Sequence, residues 1–217
     1  MNILKSWREP INALTHFIAL LFIIPITYIL CYKGYVIGGI HYLVPFLIFS
    51  LSIILLYLAS TVYHMVIAED ETIKLLKKID HMMIFILIAG SYTPVCIIKL
   101  NSTFGYIILA IVWIIAILGI FLKIFWINAP RWFSTSIYVV MGWLSVLAFF
   151  PLIKAIELKG ILLLLLGGIV YTIGAVIYAT KYPKISFKYF GFHEIFHLFV
   201  IGGSVFHIIF MFKYVLY

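Results

Sequence analysis

Four residues with metal-binding side chains stand out in a chain that is otherwise largely apolar. His64 closes the run Ser60-Thr61-Val62-Tyr63-His64, Asp80 follows Lys77 and Lys78, and His193 and His197 are four residues apart. Residues four apart share a helical face, so His193 and His197 present together, and so do Ser60 and His64. Three neutral imidazoles suit a borderline-soft divalent ion such as zinc, and three histidines with an open fourth position form the catalytic rather than the sealed structural pattern. Asp80 either fills the fourth position or orients a water on the metal. Ser60, one turn before His64, donates to that water or to a substrate oxygen. The expected metal set is therefore His64, His193, His197 and Asp80, with Asp80 and Ser60 as the catalytic pair. Spacing alone leaves a second reading open. A histidine at a membrane interface also contacts headgroups or bonds a neighbouring helix, and Asp80 also suits a helix N-cap or a partner for Lys77.

The elements that must position these residues follow from composition. Hydrophobic residues make up 66% of the 217 and charged residues only 10%, against roughly 25% charged in a soluble domain. That excludes a water-soluble globule. Seven apolar runs, near 12–30, 42–67, 80–98, 104–126, 132–153, 160–180 and 194–216, reach the length of about 20 residues that a membrane-spanning helix needs. Helices are required because lipid offers backbone groups no partner and the runs are too long for barrel strands. The expectation is an all-α integral membrane protein: a seven-transmembrane helix bundle forming a single domain over 1–217, with its largest loops at 68–79 and 181–192.

Charge suggests an orientation. With the N-terminus in the cytoplasm, the inner face collects Lys5, Arg8, Lys74, Lys77, Lys78, Lys123, Arg131, Lys181, Lys184 and Lys188, and the outer face Lys33, Lys99, Lys154, Lys159 and Lys213. This imbalance favours a cytoplasmic N-terminus and an outside C-terminus. His64, Asp80, His193 and His197 then all lie at cytoplasmic helix ends. The net charge of +8 is met by membrane lipids with anionic headgroups and needs no nucleic acid. Trp7 and Arg8 read as an interfacial anchor, and Cys31 and Cys96 as small apolar residues rather than a disulfide.

The run His193-Glu194-Ile195-Phe196-His197 also matches His-Glu-x-x-His, in which the Glu is the general base of a zinc metalloprotease. The string is short and lies in the last helix, with no later Asn-Pro-Asp-Gly segment. An intramembrane metalloprotease is the minor alternative.

Five further segments carry a resemblance. They are Glu9-x-x-Asn12-x-x-Thr15-His16, Ser60-Thr61-Val62-Tyr63-His64, Lys78-Ile79-Asp80-His81, Gly90-Ser91-Tyr92-Thr93-Pro94, and Gly191-Phe192-His193-Glu194-Ile195-Phe196-His197-Leu198. In this order they resemble the bacterial haemolysin III family, within the superfamily of the progestin and adiponectin receptors. The resemblance implies a multi-pass protein of the bacterial plasma (inner) membrane, seven helices, and a zinc site near the cytoplasmic face. It places three zinc-binding histidines at His64, His193 and His197, an aspartate reaching the metal through water at Asp80, and the serine of the motif at Ser60. Ceramidase-like relatives imply hydrolysis of a lipid amide, with zinc activating water, Asp80 accepting its proton and Ser60 helping to bind the oxyanion. A sensor or regulator of lipid homeostasis with structural zinc is the alternative, and a haemolysin-type cytolysin is a lesser one. The chain lacks the long N-terminal extension of receptor-like members, and it carries Glu194 where adiponectin receptors have Gln. The missing extension speaks against a hormone receptor, and Glu194 resembles the bacterial branch.

The remaining histidines take lesser roles. His16 is expected to support the site from the first helix. His81 points about 100° away from Asp80, and His207 lies about 15 Å beyond His197 along its helix. His41 reads as interfacial, on the opposite side. Glycines 90, 119, 142, 167, 168, 174, 202 and 203 are expected to permit close helix crossings.

Overall fold

The computed structural model describes residues 6–184 and 190–217. Lys5 and Lys188, two of the basic residues in the charge argument, lie outside them. Among the described residues, six helical elements are long and apolar enough to cross a bilayer. They are α1 (Pro10–Met65), α2 (Asp70–Leu100), α3 (Thr103–Phe125), α4 (Arg131–Ala155), α5 (Leu158–Thr180) and α6 (Phe192–Val215).

This corrects the expected seven-helix bundle. The predicted spans 12–30 and 42–67 are not separate helices joined by a loop; both belong to the 56-residue α1. A straight helix of that length runs about 84 Å, yet the two ends of α1 touch. The Glu9 N–H donates to the His64 carbonyl at 2.9 Å, and the Arg8 N–H to that of Met65 at 3.3 Å. Helical dihedrals lapse only at Gly38 and Gly39, and there α1 doubles back. Gly39 has φ +57° and ψ −143°, a conformation essentially restricted to glycine. The stretch that composition reads as a loop is thus a two-residue break. The assignment of a cytoplasmic N-terminus and an outside C-terminus rests on alternating seven separate helices, and it is withdrawn with that count of helices.

The second difference lies in α2. It starts at Asp70, ten residues before the predicted boundary, because Asp70 and Glu71 occupy its first turn, where carboxylates favour a helix N-terminus. The expected loop 68–79 shrinks to residues 66–69, and Asp80 sits three turns inside the helix rather than at its cap. The four later elements agree with their predicted runs to within two residues at each end. Ser102 caps α3 by accepting from the Gly105 N–H at 3.2 Å, and Lys181 ends α5 in the left-handed region at φ +58°.

Phe46, Phe49, Tyr57 and Phe85 are among the largest fully buried side chains, while Phe22, Leu118 and Phe150 are exposed. An apolar exterior over an apolar interior is what a lipid solvent permits. α1 packs mainly on α2, α5 on α6, and α6 also meets α1. Backbones approach closely where α2 crosses α1: a Cβ built on Gly90 would lie 2.6 Å from Ser52 Cβ. Gly142 and Gly168 face open space, so they do not serve the close crossings expected of them. Cys31 and Cys96 are both free thiols.

Candidate metal centre

The joined ends of α1 place His64, in the last turn of its second arm, beside Glu9, Asn12, Thr15 and His16 of the first. α6 starts at Phe192, so His193 and His197 fall in its first two turns. Its opening is fixed by Glu194, whose Oε2 accepts from the Gly191 N–H at 2.7 Å. That carboxylate caps the helix and does not join the histidines, which deprives the His-Glu-x-x-His reading of its base.

One candidate ligand nitrogen from each of His64, His193 and His197 lies within 4.8 Å of the others. The Nε2 atoms of His64 and His193 are 3.4 Å apart. Tetrahedral zinc with Zn–N bonds of about 2.0–2.1 Å sets its nitrogens about 3.3 Å apart, close to the His64–His193 separation, so the three imidazoles could hold a metal ion of this kind. His64 and His197 are almost wholly buried.

The orientation of His64 is set from behind. Its Nδ1 donates to Glu9 Oε2 at 2.6 Å, and Asn12 Nδ2 donates to the same oxygen at 3.2 Å. The hydrogen bond from His64 and the charge of neighbouring Arg8 hold the Glu9 carboxyl down to about 2 despite partial burial. An ionised carboxylate only accepts, so the proton belongs on His64 Nδ1 and the Nε2 lone pair faces the other imidazoles. Such carboxylate–imidazole pairs orient metal-ligating histidines and raise their basicity. Thr15 plays a looser version of this part. Its hydroxyl donates to the Asn12 carbonyl at 2.9 Å, and its oxygen lies 3.4 Å from His197 Nδ1.

His16 supports the site as the sequence suggests. Its ring stacks on His197 with centroids 3.7 Å apart and planes 8° from parallel, and its Nδ1 lies 2.8 Å from Ser60 Oγ. Ser60 is therefore held by His16. Asp80 and Ser60 line a cavity together with His193 and His197. Asp80 lines the cavity wall and is not one of the group lying within 4.8 Å. The cavity, of about 280 Å³, runs from these residues to Leu100, Phe149 and Leu152. α2 contributes to its wall from Lys77 to Leu100, about 35 Å of helix.

The other histidines stay apart from the cluster. His81 Nε2 lies 3.4 Å from the Tyr178 hydroxyl, His207 Nδ1 bonds the Gly203 carbonyl at 2.9 Å, and His41 rests near Tyr42. The residue that the sequence reading missed is Glu9. Its signal was the spacing Glu9-x-x-Asn12-x-x-Thr15-His16, which puts Glu9, Asn12 and His16 on one helical face.

A model of the family described as "Haemolysin-III related" matches residues 5–208. The chain belongs to the haemolysin III family. Among its haemolysin III relatives, the "Hemolysin-3 homolog" of Bacillus subtilis (strain 168) is 42% identical over 197 residues, covering 91% of this chain and 89% of that protein. "Hemolysin-3" of Bacillus cereus is 40% identical over 197 residues, covering 91% and 87%. Glu9, Ser60, His64, Asp80, His193 and His197 all fall within the segment matched by the haemolysin III model. Bacterial relatives and several long apolar helices mark a multi-pass membrane protein of the bacterial type.

Proposed function

We propose that this haemolysin III protein is a zinc-dependent hydrolase that cleaves an amide-linked, ceramide-like lipid. The observation that carries the reading is a cluster of three imidazoles, two of which, His193 and His197, line a mostly apolar cavity together with Asp80 and Ser60. Such a cavity suits an acyl chain, and its polar end suits the bond to be cut.

His64, His193 and His197 would hold the ion, with Glu9 keeping His64 in the metal-binding tautomer. Zinc there supplies Lewis acidity toward water and toward the amide carbonyl. The Asp80 carboxylate accepts the proton that water gives up on attack and returns it to the departing amine. Ser60, its oxygen accepting from the His16 Nδ1–H, keeps its own proton to donate to the developing oxyanion. The Bacillus relatives are named for haemolysis, but a buried cluster opening on an apolar cavity favours chemistry on a lipid over lysis.

Elemental mass spectrometry of the purified chain, compared with His193→Ala/His197→Ala, tests the metal. About one zinc per chain, lost in the double variant, is expected, followed by turnover of a lipid amide that Asp80→Asn abolishes. Zinc retained without turnover of any lipid amide would assign the ion a structural role. Absence of metal under zinc-replete conditions would sink the hydrolase.

A further inference from the structure

The cavity carries more positive charge than the proposed hydrolysis uses. Three cationic side chains, Lys77, Lys123 and Arg131, line it, against one carboxylate, Asp80. Among the described residues, none of the three cations has a carboxylate within salt-bridge distance; the ion pairs found both belong to Glu9. Lys123 is 2% exposed, and its ammonium donates to Ser134 Oγ at 2.6 Å. A buried ammonium with a single neutral partner retains two unused donors.

A second observation points the same way. Thr135, next to Ser134 in the first two turns of α4, is 5% exposed, and among the described residues its Oγ1 has no hydrogen-bond partner, although the residue lines the cavity. His81 Nδ1, on another lining residue, is likewise buried and unpaired. Buried polar groups left unpaired call for an absent partner. Arg131 opens α4, packed over the Tyr178 and Phe192 rings at 5.3 and 5.6 Å. No side chain caps that helix start, so its first N–H groups add positive potential. Cations, an unpaired hydroxyl and a helix N-terminus lining one cavity match a phosphate, whose oxygens accept several charge-assisted bonds at once. The rest of the lining is mostly apolar, so a free ion leaves the cavity unfilled.

We infer that Lys77, Lys123, Arg131 and Thr135 form a site for the phosphate of an anionic lipid whose acyl chain lies along the cavity. The inference rests on the preceding reading only in taking the cavity to hold lipid; it requires neither the metal nor turnover. It narrows the ligand from any amide-linked lipid to one with a phosphate-bearing headgroup.

Binding to the detergent-purified full chain, followed by native mass spectrometry, separates the outcomes. The probes are a lysophosphatidic acid, the monoacylglycerol with the same acyl chain, and inorganic phosphate. The lysophosphatidic acid is expected to bind at least about tenfold more tightly than the monoacylglycerol, from charge-assisted bonds to phosphate. Lys123→Met and Thr135→Val each weaken it toward the neutral lipid, and inorganic phosphate alone does not bind. Lys77→Gln, at a partly exposed position, gives the same loss should Lys123→Met fail to fold. Equal binding of the two lipids, or undiminished binding in Lys77→Gln and Thr135→Val, overturns the inference. Binding of inorganic phosphate alone, with no preference between the lipids, would assign the site to the free ion and overturn its lipid part. Chelated protein is tested in parallel, so a failed hydrolase assay leaves this result standing.

Discussion

Glu9 Oε2 lies 2.6 Å from His64 Nδ1 across 55 residues of sequence, so the orientation of one clustered imidazole is set by a residue at the opposite end of α1. Glu9→Ala is expected to weaken zinc binding about 10- to 100-fold, the usual cost of removing such a partner, with the helices intact. Glu9→Gln, whose amide oxygen still accepts, recovers part of the loss. Competition with a chelator of known affinity reads both variants, and unchanged binding in Glu9→Ala would refute the role.

Gly39 holds α1 in its fold-back at φ +57°. Gly39→Ala meets no atom within 4 Å, so its cost is purely conformational, about 1–3 kcal/mol. Thermal unfolding in detergent should show a lowered midpoint. Gly142→Ala, also in open space but within a helix, serves as the control and is expected to leave the midpoint level or slightly raised.

Gly90→Ala is destabilising for a different reason. Its new methyl would meet Ser52 Oγ at 2.2 Å and Ser52 Cβ at 2.6 Å, and α2 must shift from α1 at a cost of about 1–3 kcal/mol. Ser52→Gly vacates that space, so the double variant should recover much of the loss. A double-mutant cycle with additive effects would contradict the contact.

Ser204 lies 2.8 Å from both the Tyr57 and the Tyr171 hydroxyls, about two turns beyond His197 along α6. Ser204→Ala leaves these buried phenols short of a partner, worth about 1–3 kcal/mol. Lower thermal stability with unchanged zinc content is expected. Loss of zinc would instead tie this network to the site.

Much of the site could be read from residue types and spacing, and parts of the fold could not. His64, His193 and His197 come together as their helical spacing and resemblance suggest, because each sits on a regular helix whose ends are set by plain composition. The brevity of the break in α1 escaped because residues 31–41, with Lys33, His41 and three glycines, read as a loop, and hydropathy has no sensitivity to φ, which leaves helical values only at Gly38 and Gly39. The start of α2 escaped because Asp70 to Lys78 is too polar to count as a span yet forms good helix. Glu9 escaped because only the fold-back brings it to His64. The Lys123 and Thr135 wall escaped because burial of a cation at a helix end is decided by the neighbouring helix.

The fold-back of α1 also has a consequence for biosynthesis. By the time its second arm has emerged, Glu9, His16, Ser60 and His64 can already be assembled, which is half of the site in the first third of the chain. The other two imidazoles arrive with α6, the last helix made. On the proposed reading metal loading is then a late event, because a chain that ends before α6 lacks two of the three imidazoles that could hold the ion.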